Sequence, residues 1–271
     1  MKNVTLLIAA TSLLMSTPSW AHRAWIKPDA TVLSQSNSWV AFDAAISNDI
    51  FGFDHHAMSL SSVSATAPDG KTIELHNTFT GKNRSGFDLH LTQDGTYKIY
   101  TASQSLQARW ENDKGENQFW PGRGVIGTTE AFEREVPKQA KNLIITQSSR
   151  RIETFVTAGE PTETVLIPTG KGFELVAETH PNDLYHGEIA HFKFLIDGEP
   201  AAGAEIEIIP AGARYRDQQN EIEVKTAADG SFSVTWPTAG QYFMEASYSD
   251  NNAIAPAQQR RGAYSAVFEV L

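Results

Sequence analysis

Apolar side chains recur at every second position in short runs, and turn-forming residues separate the runs. In residues 86–91, Phe87, Leu89 and Leu91 share one face while Asp88 and His90 take the other. Similar runs occupy 39–46, 63–67, 72–76 and 96–102, punctuated by Pro68-Asp69-Gly70-Lys71 and by Gln93-Asp94-Gly95. Seven more follow over 172–176, 189–196, 204–209, 222–226, 230–236, 241–248 and 263–270, with Asp197-Gly198 and Asp229-Gly230 as tight turns. A period of two broken this often predicts an all-β chain of two β-sandwich domains. The first is expected over residues 22–162, and the second, immunoglobulin-like or transthyretin-like, over 163–271.

Residues 104–150 read differently. Trp110, Phe119 and Trp120 sit among polar residues, and Pro121-Gly122-Arg123-Gly124 breaks the pattern. An irregular excursion is expected here, with a short helix over 129–135 capped by Thr128 or Thr129 and ended near Pro137. The two halves also echo one another. Residues 91–99 and 236–244 each place a glycine (Gly95, Gly240) two positions before a tyrosine (Tyr97, Tyr242).

Residues 1–21 have the form of a secretion signal. A weakly basic start precedes an apolar stretch through Met15, and Ser19 and Ala21 supply the small residues that a signal peptidase reads. Cleavage after Ala21 would make His22 the first residue, giving one residue both a free amine and an imidazole. The stretch is too short and too interrupted for a membrane span. With no cysteine in the chain, disulfides, thiolate ligands and thiol nucleophiles are excluded. A formal net charge of −10 argues against nucleic acid as a partner. A periplasmic protein without direct membrane insertion is expected.

Eight histidines are present, and imidazole suits nickel, cobalt, copper and zinc. After His22, the best local candidate is Asp54-His55-His56, which follows the aromatic and glycine segment Phe51-Gly52-Phe53. In extended backbone only one of His55 and His56 would face a site, and Asp54 could ligate or orient a ring. A solvated histidine pair would have the same sequence. His76 and His90 lie on the polar faces of their runs, where a strand pairing would bring them close. His180 and His186 bracket a proline and asparagine turn that turn chemistry alone explains. His191 reads as a polar partner in a sheet. The expected metal set is His22 with His55 or His56, extended by Asp54 and His90. Arg214-Tyr215-Arg216-Asp217 and Arg260-Arg261 read as ion-paired edges. The chain has no nucleophile elbow, phosphate loop or dinucleotide fingerprint, and no enzyme is expected.

Several segments carry a family resemblance. They are Ala21-His22-Arg23-Ala24-Trp25-Ile26-Lys27-Pro28, Phe53-Asp54-His55-His56, His180-Pro181-Asn182-Asp183-Leu184-Tyr185, Gly198-Glu199-Pro200-Ala201-Ala202-Gly203 and Trp236-Pro237-Thr238-Ala239-Gly240. In these the chain resembles exported bacterial proteins of largely unknown function, often labelled periplasmic components of cobalt or nickel uptake systems. The resemblance implies a soluble helper that captures a divalent ion, nickel or cobalt, and presents it to a membrane transporter, while imidazole ligands leave copper or zinc open as well. It matches His22 to the family's first histidine, and His55 or His56 to the histidine after the aromatic segment. No catalytic residue transfers. Two other readings stay open: a copper-dependent oxidative enzyme built on an N-terminal histidine chelate, and a cell-envelope interaction module.

Overall fold

The computed structural model describes residues 22–271, and the expected signal segment lies outside the described residues. The first half contains β1 (Arg23–Pro28), β2 (Val32–Leu33), β3 (Ser38–Ser47), β4 (His56–Ala57), β5 (Ser64–Thr66), β6 (Thr72–Ile73), β7 (His76–Thr80), β8 (Ser85–Leu91), β9 (Gly95–Glu111) and β10 (Asn117–Trp120). A helix, α1 (Thr129–Glu135), and the long strand β11 (Lys141–Ala158) follow. The second half contains β12 (Phe173–Ala177), β13 (Ile189–Ile196), β14 (Glu199–Pro200), β15 (Glu205–Pro210), β16 (Ile222–Lys225), β17 (Ser231–Thr235), β18 (Gly240–Asp250) and β19 (Gln259–Val270). The described residues are all-β apart from α1 and short 3-10 turns.

One sheet, ordered β16-β15-β18-β19-β11-β9-β5-β6, runs through both halves. Its two parts meet where β11 and β19 pair in parallel, from Thr146 opposite Gln259 to Thr154 opposite Val267. A second sheet, β1-β3-β8-β7, covers one part and buries Val40, Phe42, Phe87 and Leu89 against Tyr97, Ile99, Ile152 and Val156. A third sheet of β12, β13, β14 and β17 covers the other, packing Phe173, Phe192 and Phe194 against Ile208, Met244 and Phe268. The result is two sandwiches that share a sheet. A smaller cluster ties β1 and β3 to the outer side of the second part, where Trp25, Ala45 and Ile50 meet Ile209, Phe243 and Val267. Full burial of a side chain as large as Trp25 contributes about 1.5–3 kcal/mol, enough to fix the start of the described chain.

The repeated glycine–tyrosine pattern has a structural cause. Tyr97 donates its hydroxyl to the carbonyl of Gln93 at 2.9 Å, and Tyr242 donates to that of Thr238 at 2.7 Å. Gly95 and Gly240 stand at φ +126° and +135°, a region L side chains rarely adopt. Each sandwich therefore has a tyrosine corner, the device that fixes a strand crossing in immunoglobulin-type folds. Tyr97→Phe and Tyr242→Phe should each destabilise the protein by about 0.5–1.5 kcal/mol, because each loses the hydroxyl that bonds the corner's backbone. Urea unfolding checks this; a loss below about 0.5 kcal/mol would show that the corners do not hold the fold.

The irregular excursion expected over residues 104–150 is a correction. Residues 104–111 extend β9 and 141–150 open β11, and the two strands pair antiparallel from Lys141 opposite Glu111 to Ala158 opposite Gly95. Ala102, Ser103, Gln104, Gln107 and Arg109 are exposed, so this end of the hairpin lacks the alternation that marks a half-buried strand. Residues 112–140 leave the β9–β11 ladder, and within them β10 returns to pair with β9 from Asn117 opposite Glu111 to Trp120 opposite Ala108. The helix forms where expected: Thr128 Oγ1 accepts from Ala131 N at 3.2 Å, and Phe132 is buried against Ala108, Trp120 and Ile145.

Candidate metal centre

Two short strands bring three histidines to one end of β3. On one edge β1 pairs Arg23 with Ser47 and Ala24 with Ile46, which leaves His22 just beyond the ladder. On the other edge β4 pairs His56 with Ile46. The His22 and His55 rings stack at 3.8 Å between centroids, with planes 10° apart, and the His55 and His56 rings lie 3.7 Å apart at 30°. The extended backbone that would turn His55 and His56 to opposite faces is not present, because His55 sits in a bend before β4.

The loop carrying the pair is held from several sides. Trp25 packs against Phe51 at 5.5 Å and Phe53 at 5.8 Å, while its indole donates to Ser47 Oγ at 2.8 Å. Asn83 donates to the Phe53 carbonyl at 2.8 Å, and the Arg84 guanidinium lies 5.0 Å from the Phe53 ring centre. Asp54 Oδ1 accepts from Asn48 N at 2.9 Å. Burial opposes ionisation of Asp54, but this and further hydrogen bonds outweigh it and hold the carboxyl below its ordinary range. Asp54 therefore shapes the loop through its backbone and orients no ring among the described residues.

His22 is positioned by its neighbour. Arg23 reaches across to the second sandwich, donating through Nη2 to Glu207 at 2.9 Å, through Nε to Glu245 at 3.1 Å and through Nη1 to Gln219 at 2.9 Å. Burial, then the facing Glu207 carboxyl, push Glu245 up to about 7, with Arg23 opposing. A raised carboxyl stabilises the fold fully below its unfolded value of 4.5 and loses that contribution as pH climbs to about 7. The uncharged variant Glu245→Gln should flatten this fall by on the order of 1 kcal/mol, read from urea midpoints at pH 5 and pH 8. A slope identical to that of the unmodified protein would show that Glu245 is not the titrating group.

Chemically, three imidazoles at one edge form a donor set for a borderline divalent ion. Desolvation lowers the His55 pKa, and positive charge on His22, His56 and Arg123 pushes the same way against Asp54. The shift favours the neutral ring, the form that ligates. Stacked planes direct their nitrogens side by side rather than toward one point, and no group of three ligating side chains closes on a common position among the described residues. Because His22 and His56 are exposed, rotation of their side chains is open to them.

His90 does not join this cluster. It pairs opposite Trp39 at the other end of β3, about 23 Å from Ile46 at the rise of a strand, stacks on Trp39 at 4.5 Å and bonds Asn37 Oδ1 at 2.8 Å. His76 meets the same Trp39 ring at 5.3 Å, so the two polar-face histidines come together across an indole. His180 is part of a joint, with Nε2 3.0 Å from Thr96 Oγ1 and Nδ1 accepting from Asn182 N at 3.1 Å. Burial pulls its pKa down. His186 contacts the Leu271 carbonyl, and His191 is exposed. The Arg214–Asp217 segment also departs from expectation: Arg216 binds the carbonyls of Pro210, Ala211 and Gln219 instead of a carboxylate. Arg260 does form an ion pair, with Asp250 at 2.8 Å. The Arg23–Glu207–Glu245 clamp had no local signal, since its members lie 184 and 222 positions apart.

A family model described as "Domain of unknown function (DUF4198)" matches residues 19–250. No curated protein matches the chain. Among solved structures, similarity extends to the human OSCAR ligand-binding domain, at 12% identity over 91% of this chain and 97% of that one with a TM-score of 0.21. The D0-D1 domain of Intimin gives 10% identity, 90% and 96% coverage and a TM-score of 0.22. The chicken CNTN1 FN1-FN3 domains give 6%, 91%, 97% and 0.24.

Proposed function

The chain belongs to the DUF4198 family of unknown function, and on that premise we propose that it is an exported, periplasmic protein that binds one divalent transition-metal ion. The ion is nickel or cobalt in this reading, and the protein is a carrier that gives it up to a membrane transporter rather than an enzyme. The observation carrying the proposal is the meeting of His22, His55 and His56 at one end of β3, with His22 directly behind the expected cleavage point. Removal of residues 1–21 would add the α-amine of His22 to three imidazoles. An open, exposed cluster suits an ion that must be released, whereas a closed structural site would retain it. No helix among the described residues is long and apolar enough to cross a membrane, which accords with a partner supplying the membrane passage.

The test is calorimetric titration with Ni2+ of protein beginning at His22. One binding event is expected, and it should disappear when a single glycine precedes His22. Equal affinity in both forms would remove the amine from the site.

A further inference from the structure

On the opposite side of the β9–β11 hairpin lies a cleft of about 590 Å³, within the usual range for small-molecule sites. Its floor is the strand pair β9–β11, and its wall is the segment 164–173 that leads into β12. Lys98, Arg151 and Lys171 line it, and no carboxylate does, although acidic side chains outnumber basic ones 32 to 22 in the chain. Arg151 is committed to Glu174 at 2.7 Å. Lys98 and Lys171 have no side-chain hydrogen bond or ion pair with protein among the described residues.

We propose that this cleft binds a small organic anion that carries an apolar group. Lys98 supplies the focal charge. It is partly buried on the floor, its ammonium 5.6 Å from the centre of the Tyr100 ring. Desolvation lowers the Lys98 pKa, with Glu153 and Arg151 as weaker and opposed influences, so an arriving anion offsets a cost already present. Phe173 and Val165 make the inner wall apolar, and Ile167 stands 68% exposed at the rim, where a ligand would cover it. Thr66 and Thr164 add hydroxyl groups around the opening.

The wall is preformed. Glu174 accepts from Thr169 N, Thr169 Oγ1, Gly170 N and Lys171 N at 2.7–3.2 Å, which wraps the segment around one buried carboxylate. Phe173 N donates to Ser149 Oγ at 3.1 Å and closes the inner corner. A binding surface held in this way loses little freedom when it is filled.

The probe is 8-anilinonaphthalene-1-sulfonate, titrated by fluorescence against the protein beginning at His22. Saturable binding at a single site is expected. Lys98→Met should weaken it about tenfold or more, and Lys98→Arg should largely restore it. The exposed variants Lys171→Glu and Ile167→Asp provide the same test without touching the floor, and each should also weaken binding. The uncharged analogue N-phenyl-1-naphthylamine should bind about tenfold less tightly. Affinity unchanged by all three cleft variants, or no saturable binding to the folded protein, would overturn the proposal. His22→Ala should leave the probe's affinity unaltered, which separates this site from the histidine cluster.

Discussion

Arg151→Met is expected to destabilise the protein by about 3–5 kcal/mol. Arg151, Glu153 and Glu174 are 6%, 3% and 3% exposed, so their charges sit where water cannot replace a lost partner. Arg151 Nη2 lies 2.7 Å from Glu174, Nη1 lies 3.7 Å from Glu153, and Tyr264 donates to Glu153 at 2.8 Å. Burial and the adjacent Glu153 hold the Tyr264 phenol well above its ordinary range, so it remains a donor. Removing the guanidinium strands two carboxylates in the interior. The network is not perfectly satisfied even when intact, since Arg151 Nε is buried without a partner among the described residues. Adding Glu174→Met should not recover the loss, because Glu174 also accepts from Thr169, Gly170 and Lys171, and those donors would be left without a partner. Urea unfolding of the singles and the double decides this. A cost below about 1 kcal/mol for Arg151→Met would mean that water reaches the network.

The second large effect concerns metal affinity. His22→Ala and His55→Ala should each weaken Ni2+ binding by about 100-fold or more, exceeding the 10–100-fold that outer-shell changes cost. His90→Ala should leave affinity unchanged, because its ring is stacked on Trp39 at the far end of β3. Asp54→Asn should have a smaller effect than either ligand variant, acting through the Asn48 contact that shapes the loop. Binding should weaken as pH falls below about 6, since imidazole must be neutral to ligate. Titration calorimetry on the four variants reads these differences. Equal losses for His90→Ala and His55→Ala would place the site elsewhere.

Much of the fold was legible because half-buried strands announce themselves by alternation, as 86–91 and 189–196 do. The tyrosine corners were visible as a repeated pattern, although the hydrogen bond that gives it meaning was not. The outer hairpin of β9 and β11 was hidden because serine, glutamine and arginine carry no period when one end of a ladder stands in water. Sharing of one sheet by two sandwiches depends on the β11–β19 pairing, which joins residues 113 positions apart. At the candidate site, alternation placed His90 on the polar face of its strand but not at which end of β3 it would lie. The approach of His22 to His55 required β1 and β4 to flank the same stretch of β3. The anchoring Arg23 clamp was beyond reach for the same reason: its partners belong to the other sandwich.

The most direct measurement is electron paramagnetic resonance of Cu2+, used as a spectroscopic probe, bound to protein that begins at His22, with bound ions counted by native mass spectrometry. One ion per chain and at least three coordinating nitrogens are expected, with the nitrogen count reduced in His22→Ala and in His55→Ala. Absence of a bound ion, or an unchanged spectrum in both variants, would contradict the proposed site.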